Sequence, residues 1–167
     1  ITLKTQHLMN KQEHFIDNNG VKIHCIVCNQ QSNTTPLILI PGATNPAEDI
    51  EEDLAGQFST YHIIISLRGR GKSDVPDQGY SLDDHASDVV AVVQHFQLQS
   101  CFIFGFSVGS TVGIRAAKQL GAIVKGVVMG DYAPFFPPFG EKWAKMVLAS
   151  PHNTMSEKAV SALSAEG

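Results

Sequence analysis

Phe102-Ile103-Phe104-Gly105-Phe106-Ser107-Val108-Gly109-Ser110 is the stretch that decides the fold. It reads as a short apolar strand, then Gly-x-Ser-x-Gly, then the start of a helix. A serine hydroxyl is a weak nucleophile and must be presented to a base at close range. A tight strand-to-helix turn with glycine two residues either side of the serine does this. The backbone at Ser107 is expected to be strained, and side chains at 105 and 109 would collide with the neighbouring strand and helix. The turn lifts Oγ above the top of the sheet, and the amide after the serine points at the same spot. The five-residue pattern recurs by chance, so its weight comes from its setting, with an apolar strand before it and a helix after it. Without chemistry, the same residues would be a glycine-rich turn whose serine caps a helix beginning near Ser110.

Working outward, apolar runs and helical patterns alternate. Residues 1–12 are polar and expected to be loosely held. His14 to Ile16 and Val21 to Val27 flank Asn18-Asn19-Gly20, which suits the positive φ angles of a hairpin. Leu37-Ile38-Leu39-Ile40 ends at Pro41-Gly42, and Tyr61 to Leu67 centres on Ile63-Ile64-Ile65. Such unbroken runs fit parallel strands buried on both faces. Asn45-Pro46 is expected to open a helix to about Phe58, with acidic residues in its first turn. Ser81 and Asp84 form a capping signal for a helix carrying Leu82, Ala86, Val89, Val90 and Val93. The helix after Ser107 is expected to stop at Gly121, and Val124 to Met129 forms one more strand. Tyr132 to Phe139 is rich in aromatic residues and proline, and two short helices are expected over 141–148 and 156–163. The alternation implies an α/β fold with a parallel, doubly wound sheet.

Composition narrows the function. Hydrophobic residues make up 43% of 167, and the formal net charge is −4, so nothing calls for nucleic acid or an acidic membrane. No apolar stretch approaches the roughly 20 residues that span a bilayer, and the N-terminus lacks a signal-peptide layout. Three cysteines, Cys25, Cys28 and Cys101, argue against a disulfide framework and fit a reducing, cytoplasmic setting. Cys25 and Cys28 stand three apart in a strand, on opposite faces, and no second pair completes a metal site. No metal or cofactor is expected. Arg68-Gly-Arg70-Gly-Lys72 suits an anion by composition but lacks phosphate-loop spacing. His24, His62, His85 and His95 are expected to be surface or satisfied core residues.

Taken in order, the hairpin, the strand ending in Pro41-Gly42, the loop Arg68-Gly69-Arg70-Gly71-Lys72-Ser73-Asp74 and the elbow at Ser107 resemble the α/β-hydrolase superfamily over about residues 15–131. That resemblance implies a mostly parallel, doubly wound sheet with a leading antiparallel hairpin. It implies the N-terminal part of the core over 1–133 and the start of a lid over 134–167, with the C-terminal strands absent from this chain. Ser107 matches the nucleophile. The amides of Val108 and Ala43 match the oxyanion donors, Pro41 replacing the commoner His. Asp131 matches the acid of a variant that carries it after the sixth strand, its other reading being a loop-anchoring aspartate. The resemblance places the catalytic histidine after an eighth strand, and His152 falls in what resembles the lid. The Arg68 to Asp74 loop is explained as a structural turn.

The expected activity is a serine hydrolase of the carboxylesterase kind, acting on small ester substrates, with Phe106 and Tyr132 lining the acyl pocket. An acyltransferase or carbon–carbon bond hydrolase on the same scaffold stays open, as does a hydrolase-like receptor without turnover. The strand at Val124 to Met129 would be an apolar sheet edge. A C-terminal fragment or second chain is therefore expected to complete the sheet.

Overall fold

The structure is a computed structural model, and it describes residues 10–54, 57–131, 140–151, 153 and 155–165. Strand β1 (Lys11–Asn18) pairs antiparallel with β2 (Val21–Cys28). Asn19 at φ 52° and Gly20 at φ 86° make the turn between them, the conformation that Asn-Gly accepts at low cost. The ladder begins earlier than the side chains suggest. Lys11 and Gln12, exposed and polar, pair with Cys28 and Val27, because backbone pairing and not apolar burial sets that end of the strand.

The remaining strands are short and apolar. They are β3 (Leu37–Ile40), β4 (His62–Ile65), β5 (Cys101–Phe106) and β6 (Val124–Gly130). The six-stranded sheet runs β1-β2-β4-β3-β5-β6. β2 meets β4 antiparallel, and β4, β3, β5 and β6 are mutually parallel. β3, placed centrally, brings Pro41-Gly42 to the top of the sheet beside the end of β5.

Helices lie on both faces. Helix α1 (Ala47–Leu54) packs over Ile26, Cys28, Leu39 and Ile64. Its described residues run to Leu54, and Gln57 N–H bonds the Leu54 carbonyl at 2.9 Å, so Phe58 lies outside the helix. Helices α2 (Leu82–His95) and α3 (Val108–Leu120) cover the opposite face with Ile38, Ile40, Ile63, Ile65 and Ile103 beneath them. Ser81 and Asp84 cap α2 reciprocally. Gly121, at φ 58°, stands at the C-cap of α3. Helices α4 (Gly140–Leu148) and α5 (Glu157–Ala165) follow. Val147, Met155, Val160 and Leu163 are buried in the larger core cluster, and Ser156 N–H bonds the Gly69 carbonyl at 3.0 Å.

The three cysteines are free and buried. Cys25 belongs to one core cluster and Cys28 to the other, as an offset of three in a strand requires. Burial pushes the Cys25 thiol up to about 12 and Cys28 to about 11, so neither is a nucleophile at neutral pH. Among the described residues no group of side chains is disposed to hold a metal ion, and no helix is long and apolar enough to cross a membrane. On β5 and β6, Phe102, Phe106 and Val128 are 42%, 41% and 54% exposed. The β5–β6 register puts Phe102, Phe104 and Phe106 opposite Gly126, Val128 and Gly130. This apolar patch continues the face that α1 covers only in part.

Candidate active site

Ser107 stands between the last residue of β5 and the first of α3, at φ 52° and ψ −127°. Only glycine adopts a positive φ freely, so the turn at Ser107 is strained. The flanking glycines explain how it is held. A Cβ at 105 would lie 2.2 Å from the Gly109 carbonyl oxygen, and one at 109 would lie 2.3 Å from the Ile40 carbonyl oxygen. Strand β5, the head of α3 and the end of β3 therefore touch through backbone alone. The Ser107 amide donates to the Gly130 carbonyl at 2.9 Å, and its carbonyl accepts from Ser110 N–H at 2.9 Å. Ser110 Oγ donates to the Gly105 carbonyl at 2.7 Å. Both neighbouring strands and the helix thus lock the serine's backbone. The serine does not cap the helix, since its side chain makes no capping bond and α3 begins at Val108.

The Pro41-Gly42-Ala43 loop passes beside this turn. A Cβ at Gly42 would sit 3.6 Å from Ser107 Cβ and 3.4 Å from the Phe106 ring. The Val108 residue opens α3 and is buried. Phe106 also borders an apolar cavity of about 340 Å³ together with Leu39, Pro41, Asn45, Ile50 and Leu54. Asp131 directly follows Gly130, whose carbonyl holds Ser107, and the register sets Gly130 beside Phe106. Asp131 is exposed at φ 54°. Tyr132 and His152 lie outside the described residues. No hydrogen bond joins Ser107 Oγ to a histidine among the described residues.

Beneath the loop lies a cluster that its sequence conceals. Arg68 makes a two-pronged ion pair with Asp88, Nε at 2.8 Å and Nη2 at 2.6 Å, and gives Nη1 to the Gly79 carbonyl. Asn18 donates to the same carboxylate at 2.8 Å. Lys72 is paired with Glu13 on the surface. These two basic groups are thus occupied internally, as a structural turn requires. Arg70 is fully buried. Its Nε donates to the Ala43 carbonyl at 2.9 Å, and its Nη1 reaches the Arg68 carbonyl at 2.7 Å and His85 Nε2 at 3.2 Å. Arg70 Nη2 and His85 Nδ1 are buried with no hydrogen-bond partner.

The histidines are therefore not uniformly satisfied. His62 Nδ1 bonds the Thr60 carbonyl at 2.8 Å, and His95 is exposed. His24 Nδ1 meets Ser66 Oγ at 3.1 Å, but its Nε2 has no hydrogen bond. Burial lowers His24 below its ordinary value, against the pull of Glu48 and Glu13. Burial, aided by Arg70 and Arg68, lowers His85 well below it. Arg70 and His85 are what reading the sequence misses: a run of glycines and bases looks like a solvated turn. The one available signal is that Arg70 sits in a loop following a fully buried strand.

Comparison with known proteins places these features in company. Residues 35–158 match the family described as alpha/beta hydrolase fold. The N-formylmaleamate deformylase of Pseudomonas putida is 34% identical over 117 residues, which are 68% of this chain and 42% of that protein. The 2-(acetamidomethylene)succinate hydrolase of Mesorhizobium japonicum is 30% identical over 128 residues, 74% of this chain and 45% of that protein. A crystal structure of the N-formylmaleamic acid deformylase from Pseudomonas putida S16 superposes with a TM-score of 0.65 at 29% identity, covering 82% of this chain and 56% of that one. An esterase from Exiguobacterium antarcticum gives 0.60 at 26% identity, covering 71% and 44%. The chain spans less than half the length of the curated relatives it matches.

Proposed function

The chain belongs to the alpha/beta hydrolase fold family, and from that membership we propose that it carries the nucleophile of a serine hydrolase acting on small acyl substrates, esters first. Ser107 Oγ attacks the acyl carbon as a base takes its proton. The tetrahedral oxyanion collapses, the leaving group departs with that proton, and water hydrolyses the acyl-serine ester. The Val108 and Ala43 amides face the oxyanion in this reading, each worth about 3 kcal/mol of barrier. Asp131 orients the base from the end of β6. Phe106 and Tyr132 are the residues proposed to border the acyl group. The relatives named as a deformylase and as a hydrolase of an acetamidomethylene compound add acyl C–N bonds to the substrates worth testing.

The observation that carries the reading is the backbone of Ser107, held at positive φ by contacts that tolerate no side chain at 105 or 109. Such strain is retained where it serves a site. We propose that the base, a histidine, comes from a further segment, in the same polypeptide or a second one. That segment also covers the exposed Phe102, Phe106 and Val128 face and pairs with the free edge of β6. Helices α4 and α5 begin the lid. The free, buried cysteines fit a reducing compartment, and we place the protein in the cytoplasm.

The test is labelling of the protein, expressed from its complete coding sequence, with a fluorophosphonate. Modification at Ser107, lost in Ser107→Ala, together with turnover of short p-nitrophenyl esters, supports the proposal. An intact, folded protein that is neither labelled nor active overturns it and leaves a ligand-binding role.

A further inference from the structure

We propose that Arg70 is a positioning residue, clamping the Ala43 carbonyl so that the Pro41-Gly42-Ala43 loop is held against Ser107 for oxyanion stabilisation. The inference rests on the serine hydrolase reading given above.

The geometry that supports it is specific. Ala43 follows Gly42, which lies beside the elbow: a Cβ there would stand 3.6 Å from the Ser107 Cβ, an ordinary van der Waals contact. Arg70 Nε holds the Ala43 carbonyl at 2.9 Å, while its Nη1 is anchored by the Arg68 carbonyl at 2.7 Å. Arg68 is itself fixed by Asp88. The loop beside the serine is thus tied through two arginines to helix α2. A planar guanidinium fixes direction as well as distance, which a flexible ammonium does not. With the carbonyl of Ala43 pinned, that residue's backbone has little freedom to turn its amide away.

The charge state points the same way. Arg70 is fully buried, and burial pushes its guanidinium down to about 10, still charged at neutral pH. Its hydrogen-bond partners are two carbonyls and the neutral ring of His85, with no carboxylate among them. Arg70 Nη2 has no partner at all. A buried cation with no hydrogen-bonded counterion, only the more distant Asp88 carboxylate supporting its charge, is unfavourable in the resting protein. It becomes less so when negative charge develops on a neighbouring oxyanion, so the interaction is stronger in the transition state than before it. That difference, and not uniform binding, is what raises turnover.

The test compares Arg70→Met and Arg70→Lys with the unmodified protein in its complete form. Reading out the rate of fluorophosphonate modification at Ser107, we expect the Met variant to be slower by about 10- to 100-fold. Arg70→Lys should fall between the two. KM for a p-nitrophenyl ester should move less than about twofold, while affinity for an alkyl boronic acid, which forms an anionic tetrahedral adduct, should drop in step with kcat. A folded variant that reacts at the unmodified rate, or that loses KM alone, overturns the proposal. Should Arg70→Met fail to fold, Arg70→Lys decides by the same criteria. A measurement on the unmodified protein needs no variant: the Arg70 Nε–H resonance shifts as the boronate adduct forms, and an unmoved resonance overturns the idea. An unlabelled parent protein would instead overturn the serine hydrolase reading itself.

Discussion

Ser107 stands at φ 52°, a conformation that costs a non-glycine residue of order 1–3 kcal/mol. Ser107→Gly should therefore raise stability while removing the nucleophile. After allowing for the extra freedom of glycine in the unfolded chain, the net gain is about 1 kcal/mol, a rise of about 2–4 °C in thermal midpoint. Calorimetry on the two proteins checks it, and an unchanged or lower midpoint would mean that the turn is relaxed. Asp131 offers the complementary case. It is exposed and at φ 54°, which asparagine tolerates. Asp131→Asn should thus fold normally yet lose about 10⁴-fold in turnover if it orients the base. Esterase kinetics with circular dichroism decide, since full activity returns Asp131 to a turn role. At this scale the strained turn at Ser107 is readable because Gly-x-Ser-x-Gly encodes a backbone shape. Arg70 is not, because what it grips, the Ala43 carbonyl, lies in a different loop, and burial of a charge leaves no mark in local composition.

Among elements, the tie between the β4–α2 loop and α2 carries the most. Asp88 accepts two bonds from Arg68 and one from Asn18, all in the interior. Asp88→Ala leaves the Arg68 charge buried and unpaired, which costs about 3–5 kcal/mol. Urea unfolding should show the extrapolated free energy of unfolding fall by that amount. A loss under about 1 kcal/mol would show that Arg68 finds another partner. Most elements were readable: continuous apolar runs gave the parallel strands, and Ser81 with Asp84 gave the start of α2. The end that escapes, at Lys11, is set by a partner strand. Such pairing leaves no hydrophobic signal.

For the molecule as a whole, acidity is the lever to test. His24 and His85 both titrate below their ordinary value of 6.5 when folded. As pH falls through that value, the unfolded chain takes up protons that the folded chain refuses. Stability therefore declines on acidification and is fully present above pH 6.5. Thermal midpoints between pH 8 and 5 should show this, and His85→Gln should flatten the slope without abolishing it, because His24 contributes with the same sign. An unaltered slope in His85→Gln would assign the effect elsewhere. The class of fold was readable from alternating patterns, but strand order was not. Which strands become neighbours is decided by long-range pairing, and the family resemblance supplies only the leading antiparallel hairpin and the parallel remainder, not the order.

That strand order also sets a timetable. The central strand β3 waits for partners that arrive later, Leu37 pairing with His62 on one side and Phe102 on the other, whereas the β1–β2 hairpin closes locally. Ser107 waits with β3, because the glycine two residues after it, Gly109, lies against the Ile40 carbonyl at the end of that strand. Contacts of such sequence separation form slowly. In refolding, helical signal should appear well before the serine becomes reactive, and quenched labelling over time would record the lag. The reactivity proposed for Ser107 is thus expected to mature late, with a partly folded form chemically silent.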